Sequence, residues 1–349
     1  MRHLRLGSPP HAEGGVLVIL LGLLLWSGCL DDASRGNPVD PRSDNFDASG
    51  RLEGRVTSIY APFQPLPGAT VEISGPLGTF VARTDARGTY TFDALPTGEA
   101  AQASYDATVR LDGYATATDT LTVPIGGRQT RTFRLGGVPV VTDVQLETVR
   151  LSRWWPPPQD LFTLRVVATL TDPDGPADLD RVWLELPEFE TALDLAPGAV
   201  PGRFERALSP ADLPTESVQA LQGRQLQLRA RDRAGIEAVS PPLSLVRVID
   251  VTPVATSPQG GETLATAQPQ LTWAPVRLPY AFTYRLAVTR LDSGIETTVW
   301  TAQEVPSTET SIQVSVPLTS GVTYNWTLSV VDAFGNESRS KPAGFILSR

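Results

Sequence analysis

Short runs in which apolar and polar residues alternate recur along most of this sequence, and they constrain its fold more than any other feature. Residues 164–170, 182–186 and 226–230 each place an apolar side chain at every second position. Successive side chains of a β-strand point to opposite faces, so this period predicts strands with one buried face. The 31 prolines and 29 glycines favour tight turns between short strands. The sequence therefore predicts an all-β protein.

Length and charge narrow the class of protein further. A chain of 349 residues is long enough for two or three domains at about 150 residues each. With 41% hydrophobic and 19% charged residues, it has enough apolar surface to build packed cores. The formal net charge is −9 and the sequence has no block of Lys and Arg. Because phosphate binding needs clustered cations, we expect no nucleic-acid partner.

The N-terminus has the pattern of an export signal. Arg2 and Arg5 precede an uninterrupted apolar run over residues 16–26. These eleven residues are fewer than the roughly 20 that span a bilayer, and they fit the core of a signal peptide. We expect a signal peptide over residues 1–28. Residues 29–49 are mostly polar and rich in turn formers, which predicts a flexible tether.

The single cysteine of the chain stands directly after the apolar run, in LWSGC at residues 25–29. This segment resembles the lipobox of bacterial lipoproteins, in which small residues precede a cysteine that becomes the acylated N-terminus. The resemblance implies that Cys29 carries acyl chains such as palmitate and anchors the protein in a membrane. Trp26 departs from the pattern, which usually has an aliphatic residue there, and an ordinary secretory signal is the alternative. Leu30 rather than Asp follows the cysteine, which favours the outer membrane over the inner membrane.

Cleavage before Cys29 would also remove both histidines, His3 and His11. The mature chain would then have no histidine, and its only thiol would be acylated. Nucleophilic sites of the Ser-His-Asp or Cys-His type, and zinc sites built from His or Cys, are excluded on that basis. We therefore expect a non-catalytic protein without a cofactor and without a disulfide.

Residues 50–136 combine alternating runs with several motifs. The motifs are GRV at 54–56, PLPGATV at 65–71, TDARGTYTF at 84–92, LPTG at 95–98 and GY at 113–114. Together they resemble the carboxypeptidase regulatory-like domain, which implies a transthyretin-like β-sandwich with no catalytic residues of its own. Asp85 and Gly88 suit a tight turn, and Tyr90 and Phe92 should point into the core.

Two further β-sandwiches are expected downstream. Residues 138–249 contain alternating runs, and their segments at 171–177 and 231–235 resemble turns of bacterial Ig-like domains. Residues 250–349 resemble a fibronectin type III domain. The segments that match its B, C, E and F strands are residues 271–273, 284–288, 312–316 and 324–330, and residues 332–338 resemble its F–G turn.

The fibronectin resemblance implies specific roles for three residues. Trp273 should be the core tryptophan. Tyr324, at the start of strand F, should bury its ring and bond the backbone near Leu318 through its hydroxyl. Asn325 should face solvent, because neighbours in a strand point to opposite faces.

Four aspartates stand close together in DPDGPADLD, namely Asp172, Asp174, Asp178 and Asp180. Calcium takes six to eight oxygen ligands, and alternate carboxylates around a glycine bend can supply several of them. The EF-hand spacing is absent, because no Glu stands at its twelfth position. The sequence favours a turn with solvated carboxylates, and a calcium site is the alternative.

Adjacent tryptophans, Trp154 and Trp155, precede three prolines. If they lie in a strand, one side chain should enter a core and the other should contact a neighbouring domain. The alternative is an exposed surface for a glycan or a protein partner, since exposed aromatic patches often mark binding sites.

We expect a lipid-anchored envelope protein whose sandwiches, arranged in a row, form a structural or adhesive stalk. A glycan-binding accessory lipoprotein of a polysaccharide-handling system is the alternative. The regulatory-like domain favours that alternative, because this domain also occurs ahead of outer-membrane nutrient receptors. Fold alone does not name the ligand.

Overall fold

The computed structural model describes residues 43, 48–98, 101–158 and 160–349. The expected signal peptide and Cys29 lie outside these residues. The described residues form 25 β-strands and three 3₁₀-helices, at Pro187–Phe189, Pro210–Asp212 and Gln219–Leu221, and no α-helix. No described residue belongs to a helix with the length and hydropathy that a membrane span requires. The predicted all-β class is confirmed.

The described residues divide into two compact units, the first ending at Leu135 and the second beginning at Gly136. The strands of the first unit are β1 (Ser49–Ser58), β2 (Thr70–Gly75), β3 (Gly78–Arg83), β4 (Thr89–Pro96), β5 (Gln102–Arg110), β6 (Ala117–Pro124) and β7 (Arg128–Leu135). One sheet has the order β4–β1–β7 and the other the order β3–β2–β5–β6. The apolar positions of both sheets form one core, as in a sandwich.

The turn between β3 and β4 has the structure that its sequence predicted. Asp85 Oδ1 accepts hydrogen bonds from the N–H groups of Arg87 and Thr89, both at 2.8 Å. These bonds hold the pKa of Asp85 below its usual value. Gly88 has a φ of +70°, which glycine adopts without strain. Tyr90 and Phe92, which follow the turn, are both buried as predicted.

Gly54 explains why the first motif of this domain begins with glycine. A Cβ at this position would lie 1.7 Å from the carbonyl oxygen of Arg131 on β7 and 2.9 Å from the hydroxyl of Tyr90. That hydroxyl donates a hydrogen bond to the same carbonyl at 2.8 Å. A side chain at residue 54 would therefore disrupt both the pairing of β1 with β7 and the buried tyrosine.

The second unit begins with one sandwich. Its strands are β8 (Val140–Ser152), β9 (Asp160–Thr171), β10 (Leu179–Leu186), β11 (Thr191–Asp194), β12 (Ala196–Pro197), β13 (Arg203–Leu208), β14 (Gln225–Asp232), β15 (Glu237–Val239) and β16 (Leu243–Ser244). One sheet contains β12–β13–β9–β8, and the other contains β11–β10–β14 with β15 and β16 paired to β14. The inward side chains, mostly Leu and Val, form the core.

A second sandwich follows in the same unit. Its strands are β17 (Ala255–Ser257), β18 (Glu262–Leu264), β19 (Gln270–Trp273), β20 (Phe282–Asp292), β21 (Ile295–Pro306), β22 (Ser311–Gln313), β23 (Thr323–Asp332), β24 (Glu337–Arg339) and β25 (Ala343–Leu347). One sheet has the order β17–β19–β22, and the other contains β21–β20–β23 with β24 and β25 paired to β23. This is the strand order of a fibronectin-like sandwich, and the first sandwich of the unit repeats it.

The two sandwiches of the second unit share a sheet. Strand β24 runs parallel to β8, with Glu337 opposite Val149 and Arg339 opposite Leu151. This pairing joins strands of both sandwiches into one ten-stranded sheet. The arrangement differs from separate domains in a row, because backbone hydrogen bonds connect the two sandwiches side by side.

The tyrosine predicted at the start of strand F behaves as expected. Tyr324 is buried, and its hydroxyl accepts a hydrogen bond from Thr319 N at 2.9 Å, directly after Leu318. Trp273 is buried in the same core, as predicted. Asn325 lies on the face of β23 opposite the buried Tyr324 and Trp326, as the strand period predicted; there it is half-buried, and its amide donates to Glu296 Oε1 on β21 at 3.1 Å.

Candidate functional site

Three of the four predicted aspartates come together in the loop between β9 and β10. Carboxylate oxygens of Asp172, Asp174 and Asp178 all lie within 4.8 Å of one another. Asp172 Oδ1 accepts a hydrogen bond from Asp174 N at 2.7 Å, which folds the loop back on itself. Asp174 Oδ2 accepts one from Gly137 N at 2.5 Å. The start of the second unit therefore lies against this loop.

Asp180, the fourth predicted aspartate, does not join the cluster. It lies on β10, and its half-exposed carboxylate is 3.5 Å from the guanidinium of Arg231 on the neighbouring strand. This is a surface ion pair, which typically contributes less than about 1 kcal/mol.

Asp232, which the sequence analysis did not single out, faces the cluster instead. It is the last residue of β14 and pairs in register with Leu179, the neighbour of Asp178. Its side chain is 1% exposed, and Oδ1 accepts a hydrogen bond from Ile236 N at 2.6 Å. Burial raises the pKa of Asp232, and repulsion from Asp178 adds to the rise.

The burial of these carboxylates differs from the solvated turn that the sequence favoured. Asp178 is 5% exposed. Burial raises the pKa of Asp172, and the charges of Asp178, Asp174 and Asp232 raise it further, against the effect of the backbone hydrogen bond. Asp172 and Asp174 are partly buried. Carboxylates this close together are suited to binding a hard cation, because oxygen is the ligand such cations prefer.

A related turn in the second sandwich has no such cluster. Asp332 ends β23, as Asp232 ends β14, and its Oδ1 accepts hydrogen bonds from the N–H groups of Phe334 and Asn336. Its Oδ2 lies 3.2 Å from Arg247 and accepts from Asn336 Nδ2 at 3.1 Å. Both oxygens of this buried carboxylate thus have partners within the protein.

A sequence signal for Asp232 exists in this relation between the two sandwiches. Identical residues recur 100 positions apart in the two F–G regions: Leu228 and Leu328, Asp232 and Asp332, Gly235 and Gly335, Glu237 and Glu337, Ser240 and Ser340, Pro242 and Pro342. A comparison of the chain with itself would have aligned the two aspartates and marked both as residues with a structural role.

Trp154 and Trp155 follow the end of β8 rather than lying in a strand. The prolines after them cannot donate hydrogen bonds to a ladder, which explains why β8 ends before them. Neither side chain enters a core, since Trp154 is 64% exposed and Trp155 is 79% exposed. The expected arrangement with one tryptophan in a core is therefore wrong.

Trp154 nevertheless contacts the second sandwich. Its Nε1 donates a hydrogen bond to Pro342 O at 2.8 Å, and the Lys341 ammonium lies 4.4 Å from its ring centroid, within cation–π range. Trp154 forms one wall of a groove of about 730 Å³. The other lining residues are 252–255, 259–261, Asn325 and 340–344.

Comparisons with solved structures find distant likenesses. The three-domain fibronectin segment of chicken CNTN1 is 12% identical, with 81% of this chain and 96% of that chain covered and a TM-score of 0.33. A DUF3823 family protein from Parabacteroides merdae is 16% identical, with 57% and 99% covered and a TM-score of 0.23. A calcium-stabilised adhesin of an Antarctic bacterium is 13% identical, with 86% and 74% covered and a TM-score of 0.22. Scores at this level do not show a shared overall fold.

Sequence comparison is informative for the first domain. A search of curated proteins finds no significant match. A scan against protein families matches residues 51–136 to the carboxypeptidase regulatory-like domain, as the motifs of that region predicted. This domain is a non-catalytic fold, and no enzyme family is indicated for the chain. The chain thus contains a carboxypeptidase regulatory-like domain at residues 51–136.

Proposed function

We propose that this protein is a non-catalytic, lipid-anchored protein of the cell envelope that acts as a structural or adhesive stalk. The observation that carries the proposal is the fusion of the two C-terminal sandwiches into one body. A stalk must hold its two ends at a fixed distance, and two sandwiches that share a sheet do this better than two that are joined by a flexible hinge. Cys29 supplies the anchor, the polar segment after it the tether, and the outer membrane is the location that Leu30 favours.

Side-chain contacts reinforce the shared sheet. Asn336 is 1% exposed, and its Oδ1 accepts hydrogen bonds from both Thr148 N and Thr148 Oγ1 at 2.9 Å. The connection between the sandwiches has no spare residue, because Val248 belongs to the first core and its neighbour Ile249 to the second. Independent motion of the two sandwiches would expose these buried groups.

The rigidity of this unit is the first thing to test. Spin labels at Val239 and Ile295, which are exposed on different sandwiches, report the distance between them in the full chain carrying Cys29→Ser, Val239→Cys and Ile295→Cys. We expect one narrow distance distribution, and Asn336→Ala should broaden it. A broad distribution in the chain with intact Asn336 would contradict the stalk proposal.

The anchor has its own test. Cells that express the full chain are fed an alkyne analogue of palmitate, and the labelled proteins are detected after purification. We expect label on the wild type and none on Cys29→Ser. Label on both variants, or on neither, would remove the anchor from the proposal. Separation of the labelled membranes by density then distinguishes the outer membrane from the inner one.

Glycan binding is a second candidate function, favoured by the exposed ring of Trp154 beside its groove. An indole face offers a flat apolar surface on which a sugar ring can stack. A glycan array probed with the full chain carrying Cys29→Ser tests this candidate, with Trp154→Ala as the variant and Trp155→Ala as the matched control outside the groove lining. Binding that Trp154→Ala abolishes and Trp155→Ala does not would establish glycan binding. If no glycan bound, this candidate would be rejected and the stalk would remain the proposed function.

A further inference from the structure

Three buried carboxylate oxygens in the first fibronectin-like sandwich have no hydrogen-bond partner among the described residues. They are Asp172 Oδ2, Asp178 Oδ2 and Asp232 Oδ2. Asp172 and Asp232 each use Oδ1 to accept a backbone N–H group, so both side chains are held in place with the other oxygen unused. A buried carboxylate oxygen without a partner is costly, and here three occur together.

We propose that Asp172, Asp174, Asp178 and Asp232 bind one calcium ion. Two segments of the chain supply the ligands, because the first three belong to the loop before β10 and Asp232 ends β14. The main chain holds the segments together, since Arg233 N donates a hydrogen bond to Asp178 O at 3.0 Å. The ion would therefore connect β10 and β14 at one end of the sandwich.

The turn of the second sandwich shows what satisfies the same aspartate when no ion is needed. There, the Arg247 guanidinium lies 3.2 Å from Asp332 Oδ2. In the first sandwich the nearby arginines are used differently, because Arg231 pairs with Asp180 and Arg233 is exposed. Arg247 supplies the positive charge at Asp332, whereas at Asp232 a bound cation would supply it.

Calcium fits this arrangement better than magnesium or zinc does. Calcium accepts six to eight oxygen ligands in irregular geometry, so carboxylates from a loop and a strand end can be completed by main-chain carbonyls and water. Magnesium demands a near-ideal octahedron. Zinc favours nitrogen and sulfur ligands, and the described residues of this cluster are all aspartates.

The experiment uses the full chain, purified in detergent and stripped with EDTA. Calcium chloride alone is titrated in by isothermal calorimetry, and the melting temperature is measured with and without it. If the Kd is about 0.1 mM, free calcium at about a hundred times the Kd should raise the melting temperature by about 5–10 °C. Magnesium chloride at the same concentration should give no comparable rise.

Two aspartates of the same strand pair provide a variant and its control. Asp232→Asn should weaken calcium binding at least about tenfold, which is about 1.4 kcal/mol. Asp180→Asn, which lies outside the cluster, should leave it unchanged. In EDTA, Asp232→Asn should melt no lower than the wild type, because it removes a buried charge while Oδ1 remains as an acceptor.

The outcomes separate clearly. No heat and no rise in melting temperature for the wild type would overturn the proposal, as would equal losses in Asp232→Asn and Asp180→Asn. An equal response to magnesium would overturn the assignment to calcium. If Asp232→Asn failed to fold, Asp178→Asn would take its place, with the same loss of calcium binding expected.

Discussion

The F–G turns of the two fused sandwiches begin with the same residue and end in different chemistry. Asp232 and Asp332 both end a central strand and both accept a hydrogen bond from the N–H group four residues ahead. In the second sandwich, Arg247 and Asn336 occupy the other carboxylate oxygen. In the first, Ile236 stands where Asn336 would be, and the other oxygen faces acidic neighbours instead.

The difference shows how one local design can serve two purposes. The backbone bond to the aspartate shapes the turn in both sandwiches, so that part is structural. The partners of the second carboxylate oxygen differ between the two sandwiches. Beside Arg247 and Asn336 it locks one sandwich to the other, because Arg247 comes from the connection between them and Asn336 bonds Thr148. Beside Asp178 it becomes part of the proposed cation site.

Removing Arg247 should break the second turn and gives the largest expected effect. Arg247→Met removes the guanidinium, which also lies 3.6 Å from the centroid of the Tyr280 ring, and leaves the fully buried Asp332 without its cation. A buried charge deprived of its partner costs about 3–5 kcal/mol. Urea unfolding of the full chain measures the loss. Arg233→Met, an exposed arginine in the other turn, should change stability by no more than about 0.5 kcal/mol.

A loss below that of the control would show that Arg247 does not pair with Asp332, and the contrast between the two turns would then disappear.

The serines after the two turns should respond alike, because their surroundings are alike. Ser240 Oγ accepts from Leu228 N, and Ser340 Oγ accepts from Leu328 N, each at 3.0 Å. Replacement by alanine leaves a buried N–H group unsatisfied, which costs about 1–3 kcal/mol in either sandwich. Urea unfolding of the two single variants and the double variant tests this. The double variant should show the sum within about 0.5 kcal/mol, and a silent variant would mean that the repeat does not extend this far.

Tyr324 tests the comparison at a position where the two sandwiches have different residues. The residue 100 positions earlier is Arg224, an exposed residue that pairs with Glu188. Tyr324→Phe removes only the hydroxyl that accepts from Thr319 N, so the expected loss is about 0.5–1.5 kcal/mol. Arg224→Ala should be close to silent. Differential scanning calorimetry of both variants measures the two losses of stability. A larger loss in Arg224→Ala than in Tyr324→Phe would mean that strand F is out of register.

Local patterns predicted most of the fold. Alternation located the strands, and the motif around Asp85 and Gly88 specified a turn in which Asp85 accepts hydrogen bonds from N–H groups two and four residues ahead. Tyr324 was predictable because its partner lies five residues away. In each of these cases the interacting residues are close together in the chain, so the sequence contains the whole interaction.

The features that sequence reasoning missed depend on residues far apart in the chain. Asp232 joins aspartates more than 50 positions away, and only the register of β10 with β14 brings them together. The outer face was predicted for Asn325, but its partner Glu296, 29 residues away on β21, was not. The pairing of β24 with β8 joins residues 188 positions apart, and neither strand carries a pattern that specifies the other.

That pairing has a consequence for where the chain can be divided. An unpaired outer strand offers a row of free N–H and C=O groups to any other chain, and is a site of aggregation. Strand β24 covers residues 149–151 of β8, and β8 covers all three residues of β24, so each sandwich shields part of an outer strand of the other. A cut between Val248 and Ile249, where one core ends and the other begins, would leave these backbone groups unpaired on both halves.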